Sequence, residues 1–284
     1  MEVTFWGTRG TVPVPGPETV RYGGNTTCVS IRTNAGQLLI LDAGTGIRNL
    51  GKSLAVRHNT ESATLFLSHS HWDHIQGFPL FAPAYDERFS LTILGCPSHR
   101  TRLQEILARQ QDTSVFPIPL DALHANIEIG DYCMGWADLD RVRICSVPLI
   151  HPGGSCGFRI EEDNRTVVFM TDNELPERGP DWERFVGYCH GADLLIHDAQ
   201  YTDNELAAHR GWGHSSMSQA VELAVEAGVK RLALFHHDPD RTEDALDELV
   251  AASNEALASK GSGLRVFAAS EGETVTVCGN DARA

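Results

Sequence analysis

The hexapeptide His69-Ser70-His71-Trp72-Asp73-His74 comes just after the apolar stretch Thr64–Leu67, and it decides which fold this chain can adopt. It places three imidazoles and one carboxylate within six positions, and these side chains bind zinc and similar borderline cations. Histidine is a scarce residue, so a solvated polar loop that carries three histidines by chance explains this spacing poorly. The stretch therefore predicts a metal-binding turn at the end of a buried strand.

Five apolar runs share this arrangement, in which a buried strand ends at a potential metal ligand. The five ends are Asp42, His69, Asp172, Asp198 and His236. In α/β folds, ligands bind at the edge of the sheet where the carboxyl ends of the strands meet. If the five ends lie on the same edge, the sequence predicts one common polar site there.

Short apolar runs alternate with amphipathic stretches along the whole chain. The predicted strand cores are Val3–Trp6, Cys28–Ile31, Leu38–Leu41, Leu65–Leu67, Leu91–Leu94, Val142–Val147, Val167–Met170, Leu194–Ile196 and Leu232–Phe235. Apolar residues at helical spacing predict helices over 99–109, 181–189, 216–227 and 243–258. Ser216 and Gln219 have the pattern of a capping box, and Thr242 suits the N-cap of the last helix. Interleaved strands and helices predict an α/β fold with sheets covered by helices.

The composition is that of an acidic globular protein of 284 residues, with 42% hydrophobic residues and a formal net charge of −15. Its three lysines are Lys52, Lys230 and Lys260. Proteins that bind nucleic acid neutralise phosphates with Lys and Arg, so the charge does not favour a large nucleic-acid partner. A small anionic substrate fits, because a bound metal can supply the positive charge.

Location and redox state follow from what the sequence lacks. It has no run of eighteen apolar residues, so no membrane span is predicted. The N-terminal stretch does not have the pattern of a secretory signal. The seven cysteines include no CxxC pair, which predicts reduced thiols and a cytoplasmic protein.

The hexapeptide has the HxHxDH spacing of the metallo-β-lactamase fold superfamily, and the resemblance extends along most of the chain. It covers Asp42 in Leu39-Ile40-Leu41-Asp42, His151 in Ile150-His151-Pro152, Asp172 in Met170-Thr171-Asp172 and His236 in Leu234-Phe235-His236. The resemblance implies a four-layer αββα sandwich, formed by a single domain over residues 1–284.

The resemblance also implies a complete ligand set for two divalent cations. The first metal would take His69, His71 and His151, the second Asp73, His74 and His236, and Asp172 would bridge them. Asp42 would fix the orientation of a ligand histidine through its free N–H. Zinc is the expected metal, with manganese or iron as alternatives, because such ligands do not select one ion. Two such cations can share a hydroxide that attacks the substrate. Asp73, as a ligand of the second cation, is also predicted to be catalytic.

A further pair, Asp198 and His214, resembles the tRNA-3′-processing and cyclic-phosphodiesterase branch of the superfamily. In that branch an acidic residue after a strand supports a histidine just ahead of a helix. Here Asp198 would orient His214, and His214 would protonate the leaving alkoxide as a general acid. The opening stretches Phe5–Gly10 and Tyr22–Thr27 resemble the same branch.

Four functions are compatible with this motif set. The main prediction is a dinuclear phosphodiesterase for a small, cyclic phosphodiester, such as a cyclic nucleotide or a phosphoribosyl cyclic phosphate. It rests on the acidic charge and on the lack of a long basic insertion between Asp172 and Asp198. The alternatives are an acyl hydrolase of the thioesterase or lactamase kind, a tRNA 3′-end endonuclease, and a non-catalytic ligand-sensing module. Family resemblance is also compatible with a homodimer. Whether Asn25 or His237 contacts the substrate is left open.

Overall fold

The computed structural model describes residues 1–57, 62–95, 103–132 and 134–278. Residues 99–102 of the first predicted helix and residues 279–284 of the predicted domain lie outside these ranges. The strands are β1 (Glu2–Gly7), β2 (Cys28–Arg32), β3 (Leu38–Leu41), β4 (Ser62–Leu67), β5 (Ser90–Gly95), β6 (Asn126–Asp131), β7 (Gly135–Leu139), β8 (Val142–Leu149), β9 (Ser155–Glu162), β10 (Arg165–Met170), β11 (Leu194–Asp198), β12 (Arg231–Phe235), β13 (Arg265–Ala268) and β14 (Thr274–Thr276).

The α-helices lie between these strands and on the outer faces. They are α1 (Ile47–Arg57), α2 (Trp72–Ile75), α3 (Leu103–Gln110), α4 (Pro180–Cys189), α5 (Asp203–Ala208), α6 (Met217–Glu226) and α7 (Glu243–Ser259). The predicted capping box is present at α6, where Ser216 accepts from the backbone of Gln219 and Gln219 binds back. Thr242 caps α7 by accepting from the Ala245 N–H, as predicted.

The strands form two mixed sheets of seven described strands each. The first has the order β14-β1-β2-β3-β4-β5-β6, and the second has the order β13-β12-β11-β10-β9-β8-β7. In the first sheet, β3, β4, β5 and β6 run parallel to one another. In the second sheet, β10, β11, β12 and β13 do the same. Each sheet therefore has a parallel half whose carboxyl ends can deliver side chains to one edge.

Three hydrophobic clusters define the layers. One lies between the sheets and combines side chains of both, such as Phe5 and Phe66 with Phe158 and Phe169. A second packs α4, α6 and α7 against the outer face of the second sheet. A third packs α1 and α3 against the outer face of the first sheet. This is the predicted four-layer αββα sandwich, and burial between layers is the main force that holds it together.

Two findings bear on the predictions about location and redox state. Each helix of the described chain falls short of the length and apolarity that a membrane span requires. Among the described cysteines, Cys156 is disulfide-bonded, whereas Cys28, Cys145, Cys189 and Cys278 are free. The prediction of reduced thiols is therefore wrong for Cys156.

Candidate metal centre

The parallel halves of the two sheets bring the five predicted strand ends together. Asp42 follows β3 and His69 follows β4, and these two strands are neighbours in the first sheet. In the second sheet the neighbours β10, β11 and β12 lead to Asp172, Asp198 and His236. His151 comes just after β8 and joins them. Because parallel strands end on the same side, all these side chains lie at one shared edge of the sandwich.

The backbone at three of these ends is held in a conformation that L-residues seldom adopt. Asp42, Asp172 and His236 have φ angles of 62°, 54° and 59°. Such a residue costs about 1–3 kcal/mol and persists only where the surrounding structure enforces it. Backbone strain of this kind is concentrated at functional sites.

The first group of potential ligands consists of His69, His71 and His151. Their ring nitrogens lie close enough together to bind one ion, and the distance from His71 Nδ1 to His151 Nε2 is 3.0 Å. His69 is buried, whereas His71 is exposed at the rim. The group therefore has one open side through which a substrate can approach.

The second group consists of Asp73, His74, Asp172 and His236, and all four side chains are buried. One oxygen of Asp73 lies 3.2 Å from Nε2 of both His74 and His236. The helix α2 places Asp73 and His74 in this group, although His71 immediately before it belongs to the first group. The sharp turn after His71 thus divides the hexapeptide between two sites.

Asp172 faces both groups with different oxygens. Its Oδ1 lies 3.8 Å from His69 Nε2 and 3.7 Å from His151 Nε2. Its Oδ2 lies 3.1 Å from His74 Nε2 and 3.4 Å from His236 Nε2. A carboxylate in this position can bridge two cations and offset part of their mutual repulsion.

The electrostatics of the edge fit a pair of divalent cations. Four carboxylates are buried here, those of Asp42, Asp73, Asp172 and Asp198, and buried charges need compensation. Burial raises the pKa of Asp172, but His236, His74 and His69 outweigh this effect and hold its pKa well below the usual range. Within the described part of the chain, Nε2 of His69 and of His74 is buried without a hydrogen-bond partner. Free, buried imidazole nitrogens beside ionised carboxylates suit metal coordination.

Asp42 lies behind the second group and fixes its geometry. Its Oδ2 lies 2.8 Å from His74 Nδ1, and its Oδ1 accepts from the Ser68 N–H at 2.7 Å. Ser68 Oγ donates to Oδ2 at 2.8 Å. Because Nδ1 of His74 is engaged by Asp42, Nε2 is the nitrogen left to face the candidate metal site, as expected for a supporting carboxylate.

Asp198 and His214 form a hydrogen-bonded pair beside both groups. His214 Nδ1 lies 2.7 Å from Asp198 Oδ2, while Asp198 Oδ1 accepts from the Ser215 N–H at 3.0 Å. Burial lowers the pKa of His214, but Asp198 outweighs this effect and raises its pKa to about 9. The His214 ring stacks on His236 at 5.0 Å between centroids and meets His151 edge-on at 5.3 Å.

Two side chains that sequence reasoning missed also support the site. Gln200 Oε1 lies 3.0 Å from His236 Nδ1, so it fixes this ring as Asp42 fixes His74. Glu174 accepts from the backbone N–H groups of Gly211 and Gly213. Glu174 lies two positions after Asp172, and Gln200 lies two positions after Asp198. Their closeness to predicted strand ends is the signal in the sequence that indicates them.

Two glycines leave space for ligand histidines. A Cβ at Gly10 would lie 2.3 Å from the His236 ring, and one at Gly213 would lie 2.1 Å from His151 Nδ1. The Gly213 carbonyl oxygen lies 3.0 Å from this Nδ1. Any larger side chain at these positions would push against a candidate ligand.

The two residues left open by the sequence have partners away from the ligand groups. His237 is fully buried, and its Nε2 lies 2.9 Å from the carbonyl oxygen of Ala269. Burial lowers the pKa of His237 to about 3, so the ring is neutral. The side chain of Asn25 donates to Glu271 Oε2 at 2.8 Å. These contacts connect loops around the site.

Comparison with known proteins agrees with this geometry. Residues 38–237 match the family model described as a β-lactamase superfamily domain. The chain belongs to this superfamily, and its fold is the metallo-β-lactamase fold. Its relatives and its His/Asp cluster make it a metal-dependent hydrolase. The prediction of an enzyme is therefore confirmed.

Curated relatives that match most of the chain carry the name ribonuclease Z. Ribonuclease Z of Haloarcula marismortui is 25% identical, over 90% of this chain and 92% of its own length. Ribonuclease Z of a Synechococcus species is 27% identical, over 84% of this chain and 88% of its own length.

Solved structures share the fold at lower identity. The metallo-β-lactamase fold protein YhfI of Bacillus subtilis has a TM-score of 0.70 at 20% identity, covering 96% of this chain and 98% of its own. The short form of human tRNase Z has a TM-score of 0.66 at 20% identity, covering 98% of this chain and all of its own.

These relatives correct two predictions. The main prediction of a small cyclic phosphodiester as the substrate is wrong, because the relatives that match most of the chain are ribonucleases. The prediction that no large nucleic acid is favoured is wrong for the same reason. Both rested on a net charge of −15, which is a sum over the whole surface. The first also rested on the lack of a long basic insertion between Asp172 and Asp198. A site that holds divalent cations can be positive locally on an acidic protein.

Proposed function

We propose that this protein is a metal-dependent endonuclease that cleaves a phosphodiester bond at the 3′ end of tRNA precursors. The observation that carries the proposal is the position of His214. This ring is hydrogen-bonded to Asp198, and one of its nitrogens lies within 4.8 Å of a ligand atom of His151 and of Asp172. A proton donor at that place can serve a leaving oxygen next to the metal groups. The names of the relatives supply the substrate class.

Seven residues would hold the metals. His69, His71 and His151 would bind one cation, Asp73, His74 and His236 would bind the other, and Asp172 would contact both. When bound, two divalent cations supply positive charge to a phosphate and lower the pKa of a coordinated water. We expect zinc, because histidine and carboxylate ligands suit it.

The remaining residues orient the ligand side chains and protonate the leaving oxygen. Asp198 engages His214 Nδ1, so Nε2 is the nitrogen that can donate to the leaving oxygen. Asp42 and Gln200 fix His74 and His236, so both rings keep their orientation when a substrate approaches. His71 is exposed to solvent, so a substrate can approach the ligand groups from this side.

A substrate panel tests the proposal. Protein that contains two metals per chain is incubated with a 3′-extended tRNA, the same tRNA without its extension, 2′,3′- and 3′,5′-cyclic nucleotides, a thioester and a lactam. We expect cleavage of the extended tRNA alone, at the end of its acceptor stem, and loss of that cleavage in Asp172→Ala. Turnover of the thioester or lactam without cleavage of the tRNA would support the acyl hydrolase alternative instead.

A further inference from the structure

Two tryptophans next to the candidate metal centre are exposed to solvent. Trp72 lies between His71 and Asp73 and is 73% exposed. Trp212 directly precedes Gly213, whose carbonyl oxygen contacts His151, and it is 59% exposed. Because His71 and His151 contact each other, the tryptophan pair, Trp72 and Trp212, borders the same open rim. Tryptophan is enriched at interfaces, where one end of the side chain is apolar and the other can bind water.

The exposed indole of Trp212 stands on a fixed turn. Gly211 and Gly213 on either side of it have φ angles of 84° and 88°, which glycine adopts without strain. The carboxylate of Glu174 accepts from the N–H of Gly211 at 2.8 Å and of Gly213 at 2.9 Å. The His209 ring meets the indole edge-on, with centroids 4.7 Å apart. The backbone of the turn is therefore fixed, and it carries an indole that is exposed to solvent.

Aromatic contacts connect Trp212 to the proposed proton donor. His209 stacks on Tyr201 at 4.7 Å between centroids, with an interplanar angle of 15°. Tyr201 in turn meets His214 edge-on at 5.9 Å. The indole of Trp212 and the proposed proton donor therefore belong to one continuous series of aromatic contacts.

The backbone of Trp72, within the hexapeptide, is also fixed by hydrogen bonds. Trp72 is the first residue of α2, and its carbonyl oxygen accepts from the Gln76 N–H at 2.8 Å. The next turn is tied to the first sheet, because the Ala43 N–H donates to the His74 carbonyl at 2.7 Å. The backbone that carries Trp72 is therefore the backbone that positions Asp73 and His74.

The chemistry of an exposed indole indicates what the pair is for. Neutralisation of phosphates by cationic side chains or bound cations is one source of affinity for nucleic acid. Stacking of bases on aromatic side chains is the other main source of affinity for unpaired strands, and it does not depend on charge. We propose that Trp72 and Trp212 stack on unpaired bases next to the cleaved phosphodiester and so strengthen binding of the substrate. This inference rests on the proposed function.

The test compares tryptophan variants on matched substrates. Trp72→Ala and Trp212→Ala are measured against a tRNA with an unpaired extension, together with Trp72→Phe and Trp212→Phe. Trp136→Ala is the matched control, because Trp136 is 49% exposed but lies on the edge strand β7. We expect each alanine variant to raise KM about 10-fold with little change in kcat, and each phenylalanine variant to recover most of the loss.

A second substrate separates stacking from a structural role. When the nucleotides next to the cleaved bond are abasic, the wild-type KM should rise to that of the alanine variants. The alanine substitutions should then have no further effect. Equal KM values for wild type and both alanine variants on the natural substrate would overturn the inference, as would an equal loss in Trp136→Ala.

Failure of the proposed function is recognised separately. If the wild type with two metals cleaves no extended tRNA, the proposed function fails. Binding of an unpaired RNA oligonucleotide is then followed by quenching of tryptophan fluorescence. Quenching that is lost in the double Trp72→Ala, Trp212→Ala variant supports the stacking surface, and unchanged quenching in that variant overturns it.

Discussion

Asp198 Oδ2 lies 2.7 Å from His214 Nδ1, and Asp198 is completely buried. The same carboxylate group accepts from the N–H groups of Ser215 and Asp172. One side chain therefore fixes the candidate proton donor and, through the backbone, the residue that faces both ligand groups. This connection between two strand ends is the basis of the first prediction.

His214→Ala should affect substrates according to their leaving groups. We expect a loss of about 10²–10⁴-fold in kcat on RNA, because the leaving alkoxide needs a proton. Bis(p-nitrophenyl) phosphate has a leaving group that needs none, so its turnover should fall far less. Asp198→Asn should show the same difference between substrates to a smaller degree. Equal losses on both substrates would show that His214 is not the proton donor.

Asp42→Ala should weaken metal binding by the second ligand group, although Asp42 is not itself one of the predicted ligands. The substitution removes the hydrogen-bond partner of His74 Nδ1, and loss of such a partner typically lowers metal affinity about 10–100-fold. The measurement is the metal content per chain during titration with a chelator. Asp240→Ala is the control, because Asp240 is exposed on the loop after His236. Unchanged metal retention in Asp42→Ala would contradict the supporting role of this aspartate.

Gly10→Ala should displace His236. The added methyl group would lie 2.3 Å from the imidazole ring, so the ring or the loop must move. A displacement of about 1 Å in a catalytic site can cost about 100-fold in rate. We therefore expect Gly10→Ala to lose activity by about that factor and to lose bound metal as well. Gly16→Ala serves as the control in the same loop, since its Cβ would meet nothing within 4 Å. Wild-type activity in Gly10→Ala would place His236 outside the working site.

Arg9→Ala should destabilise the whole fold. Arg9 is fully buried, and its guanidinium donates to the carbonyl oxygens of Gly23, Asp238 and Arg241. Its removal leaves the carbonyl oxygens of buried Gly23 and half-buried Arg241 without this donor, so the free energy of unfolding should fall by roughly 2–5 kcal/mol.

Denaturant unfolding measures this effect. Arg48→Ala should change stability by no more than about 0.5 kcal/mol, because Arg48 is exposed on α1. A loss in Arg9→Ala as small as that of Arg48→Ala would refute the assigned role.

Much of the fold could be predicted because burial leaves a clear pattern in the sequence. The nine predicted strand cores all fall within observed strands, since continuous apolar runs suit strands covered on both faces. Five described strands were not predicted, namely β6, β7, β9, β13 and β14. The strands β6 and β7 lie at sheet edges and are largely exposed, so they lack the apolar runs on which the prediction depended. The strand β9 is mostly buried, but polar residues interrupt its apolar side chains.

The candidate site was predictable from strand ends, but the details of its support were not. His69 and Asp172 follow apolar runs, and the chain topology alone brings such ends together. Gln200 and Glu174 act on turns whose shape depends on φ angles that the sequence does not reveal. The substrate class was missed because net charge is a sum over the whole surface and does not describe the charge of a local site.

The most direct test of the account is a metal titration of RNA cleavage. Protein freed of metal is refilled with zinc in fractions of an equivalent, and cleavage of a 3′-extended tRNA is followed at each step. The account predicts that activity rises to its maximum at two equivalents per chain, in wild type but not in Asp172→Ala. Full cleavage by the metal-free protein, or none with two equivalents bound, would contradict it.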